Sequence, residues 1–208
     1  MMLAPKPIKV TKVLMCGGKS VGKTTILEQL IHGKVTKDLY PTIEDIYVAS
    51  VDTGKGTRDQ LSIYDTAGLQ GSTQQLPRHY ISFPDAFILV YDPSDPSSLD
   101  ILGNLKVDID RNKEKKEVAF IVLANMRSKS RQMSPNKDPN STLDPESVLQ
   151  RANLWCAKER IKHYVVNALE RPSLYNPFID LAIKLHPGQT KTSTFTQLRQ
   201  KTISNLSA

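Results

Sequence analysis

A chain of 208 residues is long enough for one α/β domain with a sizeable core, plus some excess. Hydrophobic residues make up 39% and charged residues 24%, which excludes a fibrous or wholly disordered chain, and no apolar run approaches the length of a membrane span. Two cysteines, Cys16 and Cys156, exclude a disulfide-built scaffold, and the net charge of +7 suits acidic partners without choosing among them.

Residues 1–8 carry Pro5 and Pro7 and read as a loose lead-in without an apolar signal region, so a reduced, cytoplasmic setting is expected. Val10 to Cys16 is an apolar run that predicts a strand ending in a small buried cysteine. Thr25 to Ile31 places Leu27, Leu30 and Ile31 on one helical face, and Gly33 stands where a C-cap glycine belongs. Between strand and helix lies Gly17-Gly18-Lys19-Ser20-Val21-Gly22-Lys23-Thr24, the G-x-x-x-x-G-K-T spacing of a phosphate loop, with Thr25 completing the set. The glycines let successive backbone N–H groups turn inward around a phosphate at a helix N-terminus. Lys23 would reach the terminal phosphates, and the Thr24 hydroxyl would ligate Mg²⁺.

Ile46 to Val51 and Leu61 to Tyr64 predict two strands joined by a hairpin turn at 53–56. Asp65-Thr66-Ala67-Gly68 follows the second of them. An acidic residue at a strand end would hold a Mg²⁺-bound water, and the N–H of Gly68 can face a phosphate. Ala86 to Tyr91 and Val118 to Ala124 are continuous apolar runs, read as buried parallel strands, with a helix from about Ser97 to Arg111 between them. The Ser/Pro/Asn/Lys-rich stretch 127–142 reads as a long exposed loop. Asp144-Pro145 supplies an N-cap and a first-turn proline for a helix to about Lys162. Tyr164 to Val166 predicts a short strand and Leu174 to Leu185 a last helix. After Pro187 the tail is Ser/Thr/Gln-rich and expected to be disordered. Alternation of this kind predicts an open, mostly parallel sheet with helices on both faces, and its ligands bind at the carboxyl ends of the strands. Gly17, Asp65 and Asn125 all stand at such ends.

With the phosphate loop, D-T-A-G and Tyr40-Pro41-Thr42-Ile43-Glu44-Asp45-Ile46-Tyr47 in place, residues 9–186 resemble a Ras-superfamily small GTPase. The resemblance implies the P-loop NTPase fold of a Ras-like G domain with a six-stranded sheet. It also implies GTP or GDP with Mg²⁺ as cofactors, and Thr42 closing over the γ-phosphate to complete the metal's ligands. The segment around Thr42 would be the first switch and the stretch after D-T-A-G the second. Asn125 and the backbone N–H of Ala168 would face the base.

Three departures from that family set expectations of their own. Lys19 occupies a position that is Gly in typical Ras proteins, where bulk obstructs an incoming arginine finger. Leu69 stands where the family has the glutamine that orients the attacking water, and Gln70 is one place too late to replace it. Hydrolysis should be very slow and poorly stimulated, losing a benefit of about 10³–10⁵ in rate. The base motif N-K-x-D reads Asn125-Met126-Arg127-Ser128, and the neutral Ser128 hydroxyl cannot supply a carboxylate's bidentate acceptor.

Within the superfamily, Cys16-Gly17, Ile26-Leu27-Glu28-Gln29-Leu30, Gly68-Leu69-Gln70 and Leu76-Pro77-Arg78-His79-Tyr80 resemble the NF-kappa-B inhibitor-interacting Ras-like (kappaB-Ras) family. So does Lys113-Glu114-Lys115-Lys116-Glu117-Val118-Ala119. That resemblance implies a cytoplasmic regulator that binds acidic segments of NF-kappa-B inhibitors and restrains their degradation, with a link to a Ral GTPase-activating complex. The end, Ser204-Asn205-Leu206-Ser207-Ala208, has no cysteine to prenylate, so no lipid anchor is expected. Neither is a nucleic-acid partner, and the G domain is expected to be monomeric. The partner face is expected within roughly Asp59 to Tyr91. The alternative reading is a nucleotide-independent pseudo-GTPase scaffold.

Overall fold

Apolar runs that can be buried on both faces form the centre of the sheet. In the computed structural model these are β1 (Val10–Gly17), β4 (Ala86–Tyr91) and β5 (Ala119–Asn125), side by side and parallel. The model describes residues 10–35, 41–53, 58–71, 73–114, 118–126 and 144–187. β3 (Arg58–Thr66) runs parallel to β1 on its other side, and β6 (Lys162–Val166) runs parallel to β5. β2 (Glu44–Asp52) pairs antiparallel with β3 and closes that edge, giving the order β2-β3-β1-β4-β5-β6.

Side chains alternate between the faces of a strand, so the sheet builds two cores. Val13 and Met15 of β1 join Ile26, Leu27 and Leu30 of α1 (Lys23–His32) and Phe178 and Leu181 of α5 (Arg171–Leu185). Leu14 and Cys16 point the other way. They meet Leu102 and Leu105 of α3 (Pro96–Asn112), Val148 and Cys156 of α4 (Pro145–Lys158) and Ile81 of the short α2 (Arg78–Ser82). No helix among the described residues is long and apolar enough to cross a membrane.

Helix ends follow local chemistry in two cases and tertiary contact in others. Gly33 takes a left-handed φ of 64° and its N–H donates to Gln29 O at 3.0 Å, closing α1. Arg171 of α5 then donates to Leu30 O at 3.2 and 3.0 Å, placing a cation at the negative end of α1. Asp95 caps α3 through Ser97 N at 3.1 Å. Asp144 does occupy the N-cap of α4, but its side chain makes no cap bond and its carbonyl accepts from Ser147 N instead.

The predicted helix from 144 to about Lys162 is too long. α4 stops at Lys158 because Arg160 adopts a left-handed φ of 55°, Ile161 turns inward and is buried, and residues 162–166 pair with the edge of β5. Satisfying that row of backbone groups outweighs about one more turn of helix, so β6 begins at Lys162 and not at Tyr164. α2 was not anticipated, since five residues carry no readable period. The lead 1–8, most of the turn at 53–56, the loop 127–142 and the tail from 188 fall outside the described residues.

Phe178 is fully buried between α5 and the sheet. Its replacement by Ala is expected to cost about 3–5 kcal/mol, read as a lower midpoint in denaturant unfolding with the slope unchanged.

Candidate functional site

The carboxyl ends of β1, β3 and β5 bring the three sequence signals to one edge of the sheet. Gly17 leaves β1 at φ 154°, and a Cβ there would lie 2.1 Å from Val90 O, so only a bare backbone fits against β4. Ser20 at φ 60° and Gly22 at φ 94° are both left-handed, the kind of backbone turn from which anion-binding loops are built. A non-glycine residue in that region costs about 1–3 kcal/mol, a local strain that other contacts must offset. Lys23 opens α1 only 6% exposed, with its ammonium donating to Gly18 O at 3.1 Å. Burial pushes the ammonium below its ordinary range, and the nearby Asp65 carboxylate pulls it back up. A buried cation inside a cradle of N–H groups at a helix N-terminus is chemically fitted to an anion. Lys19 lies on the loop's exposed rim, and Thr25 is half-buried in the first turn of α1.

Thr24 is the meeting point of the second set. Its hydroxyl lies 2.8 Å from the Thr42 hydroxyl and donates to Asp65 Oδ2 at 2.5 Å. Asp65 is fully buried, and its Oδ1 has no hydrogen-bond partner among the described residues. Burial pushes its carboxyl up to about 6, against the opposing pull of the Thr24 hydroxyl and Lys23. Two hydroxyls and one carboxylate, with an unpaired carboxylate oxygen beside them, form the hard all-oxygen set that suits Mg²⁺ when phosphates supply further ligands. The residues present therefore fit a Mg²⁺-bound phosphate.

Leu69 does not point into this cradle. Its side chain is 4% exposed and packs in the apolar cluster with Cys16, Leu76, Ile81 and Tyr91. Its backbone bridges the phosphate loop: Leu69 N donates to Gly17 O at 3.0 Å and Lys19 N donates to Leu69 O at 2.9 Å. The bridge depends on Gly68, where a Cβ would stand 2.4 Å from Lys19 Cα. Gln70 is exposed, and its N–H donates to Gln74 Oε1 at 2.6 Å. Two further ties link the switch segments: Ala67 N donates to Ile43 O at 3.2 Å, and the Tyr80 hydroxyl donates to Glu44. Residues so far apart in the chain leave no sequence pattern, and these ties were not anticipated.

At the base end, Asn125 is 3% exposed. Its Nδ2 donates to Val21 O at 2.9 Å, and its Oδ1 accepts from Ala168 N at 3.0 Å. The Ala168 N–H expected to face a base is thus directed at Asn125. Asn167 Oδ1 accepts from Leu169 N at 3.0 Å, and its Nδ2 donates to Glu170 at 2.9 Å. Met126 packs against the apolar cluster, and Ser128 lies outside the described residues.

Gly68→Ala should force residues 67–69 off the phosphate loop. Faster hydrogen exchange at the Leu69 and Lys19 amides, with β4 and β5 unchanged, is the expected outcome.

The Ras family model matches residues 12–186. The chain is 61% identical over 202 residues to an NF-kappa-B inhibitor-interacting Ras-like protein of Drosophila melanogaster, covering 96% of this chain and 95% of that one. It is 42% identical over 187 residues to NF-kappa-B inhibitor-interacting Ras-like protein 1 of Homo sapiens, covering 89% and 91%. Against human Ras-like protein 2 of the same name the identity is 39% over 187 residues, with the same coverage. With the phosphate loop, the Thr24–Thr42–Asp65 set and the sheet order already described, the chain belongs to the Ras family, a guanine-nucleotide-binding family, and groups within it with the NF-kappa-B inhibitor-interacting Ras-like proteins.

Proposed function

We propose that this protein binds GTP with Mg²⁺, hydrolyses it very slowly, and acts as a cytoplasmic regulator that binds inhibitors of NF-kappa-B and restrains their degradation. One contrast carries the reading: the phosphate and metal residues are assembled around Thr24, while the side chain at the water-orienting position is buried in the core. Bound there, Mg²⁺ would neutralise phosphate charge, with Thr24, Thr42 and Asp65 as the residues fitted to hold it. Lys23 and the loop N–H groups serve the phosphates.

Hydrolysis needs a group that fixes the attacking water. Leu69 has no hydrogen-bonding atom in its side chain, and that side chain is 4% exposed inside an apolar cluster. Lys19, exposed at the rim of the loop, adds bulk where an activating arginine would approach. A protein with this set stays loaded once it has bound GTP.

The relatives' names supply the partner class, and the chain's charge of +7 favours an acidic segment, chiefly through the rate of encounter. The expected face from Asp59 to Tyr91 needs narrowing. β4 is buried along its whole length and offers a partner nothing, because it lies between β1 and β5 with helices over both faces. Among the described residues the exposed part is 70–71 and 73–79, apart from the buried Leu76, and it carries Arg78 and His79. Ile43 in the first switch is 85% exposed and is a natural apolar contact beside it.

A nucleotide-independent scaffold is the second reading. It is favoured by ties between the switches and the loop that use protein groups alone: the Leu69 bridge, Thr24 with Thr42, and Glu44 with Tyr80.

Denaturing the purified protein and identifying released nucleotide by chromatography separates the readings. Near-stoichiometric GTP is expected. Mostly GDP would overturn slow hydrolysis, and no nucleotide would favour the scaffold. In single-turnover assays Leu69→Gln should leave hydrolysis slow, because the side chain at 69 faces the core. It should also lower stability by about 1–3 kcal/mol by burying an amide. Restoration of a fast rate by that change would keep position 69 as the water-orienting one and overturn the reading that a side chain there stays turned into the core.

A further inference from the structure

We propose that Tyr80 is a positioning residue for nucleotide retention: through its bond to Glu44 it holds the first switch closed over Thr24. The proposal rests on nucleotide binding as read above and concerns what sets the rate of release.

The segment that would cover the site has little packing to hold it. Pro41 and residues 43–46 are exposed and Thr42 is half-buried, with Ile43 at 85% and Ile46 at 42%. Burial of apolar surface contributes little there, so local opening is limited by polar bonds. Three successive residues supply them, each to a different element. The Thr42 hydroxyl lies 2.8 Å from that of Thr24 in α1. Ile43 O accepts from Ala67 N, just beyond β3, at 3.2 Å. The Glu44 carboxylate accepts from the Tyr80 hydroxyl of α2.

The third bond has a carboxylate acceptor, which makes it the strongest kind of the three. It also joins one switch to the other, whereas the Thr42 contact joins two groups that a Mg²⁺-bound phosphate would itself engage. Tyr80 is held firmly enough to serve as an anchor. Ile81 and Leu76 are buried and fix α2 in the apolar cluster, and the Tyr80 ring packs against the same cluster. The Tyr80 N–H donates to Pro77 O at 2.9 Å. A tyrosine ring has only two side-chain torsions, so little freedom is lost in aiming the hydroxyl. Burial, reinforced by Glu44, pushes the phenol up to about 12, and it stays a donor throughout the neutral range.

Glu44 opens β2 two residues after Thr42. Whatever fixes its carboxylate therefore limits how far the Thr42 hydroxyl can move from Thr24. A nucleotide beneath Thr42 leaves when this segment lifts, and lifting it breaks the Tyr80 bond. The bond uses protein groups alone, so it acts in the same sense on GDP and on GTP.

The test uses the full chain loaded with a fluorescent methylanthraniloyl GTP in Mg²⁺ and chased with excess GTP. Tyr80→Phe removes one oxygen and keeps the ring, so the packing of α2 is retained. It is expected to release nucleotide about fivefold faster, the worth of one hydrogen bond. Glu44→Ala should do the same, and the two changes together should be no faster than either alone, because both cut one bond. Hydrogen exchange gives a readout that needs no nucleotide. The amides of residues 42–45 should exchange faster in Tyr80→Phe, with β4 and β5 unchanged, in both the loaded and the stripped chain. A release rate within twofold of that of the unaltered protein, effects of the two changes that multiply, or unchanged exchange at 42–45 would overturn the role of Tyr80 and leave nucleotide binding standing. Failure of the unaltered chain to bind nucleotide would overturn the two together.

Discussion

The backbone of Gly17 and the carbonyl of Val90 share a space that admits no Cβ, and the rest of the site hangs from that contact. It brings the phosphate loop hard against β4 at the point where β1 ends. Two other glycines extend the same geometry. Gly68 lets the chain after β3 lie against Lys19, and Gly22 lets the Asn125 amide reach Val21 O. Three strand ends, far apart in sequence, thus meet within bonding distance of one loop. Each approach needs a residue without a side chain, for steric reasons and not only for freedom of φ.

The loop so formed holds two charges that water would otherwise solvate. Lys23 and Asp65 are both buried, and burying an unpaired ion costs several kcal/mol even after relaxation. They partly offset one another, which is why each pulls the other's titration back towards its ordinary range. The remaining imbalance is local: an ammonium in a cradle of N–H groups, and a carboxylate oxygen without a donor. An anion at the first and a hard cation at the second would relieve both. The side chain at 69 lies outside this polar set. Leu69 is drawn into the core by the same burial that stabilises α2 and α3, and beside Met126, which packs on that cluster, the Asn125 amide is bonded to Val21 O and Ala168 N.

Much of this was legible in the residues. Runs such as Ala86–Tyr91 need no context to be read as buried strands, and Gly33 marks its helix end because few residues tolerate a left-handed φ. The phosphate-loop pattern and D-T-A-G are recognised from their spacing alone. The end of α4 was not legible, because local propensity continues through Glu159-Arg160-Ile161 and only the free edge of β5 stops it. Nor was Arg171 as a cap for α1, since the two lie 141 residues apart. The direction of Leu69 and the engagement of the Ala168 N–H escaped for the same reason: sequence names the group, and only packing says where it is aimed.

The sequence by itself determined the class of fold, the phosphate-loop pattern, the acid at the end of β3 and a side chain without hydrogen-bonding atoms at position 69. Each of these is a matter of residue type at short spacing, where covalent geometry leaves few choices. The tertiary structure alone decided that Thr42 and Asp65 converge on the Thr24 hydroxyl and that Leu69 turns inward. It alone decided that Asn125 spends its amide on Val21 and Ala168. Those outcomes depend on how two faces of one sheet are filled, and filling a core is a property of the whole chain.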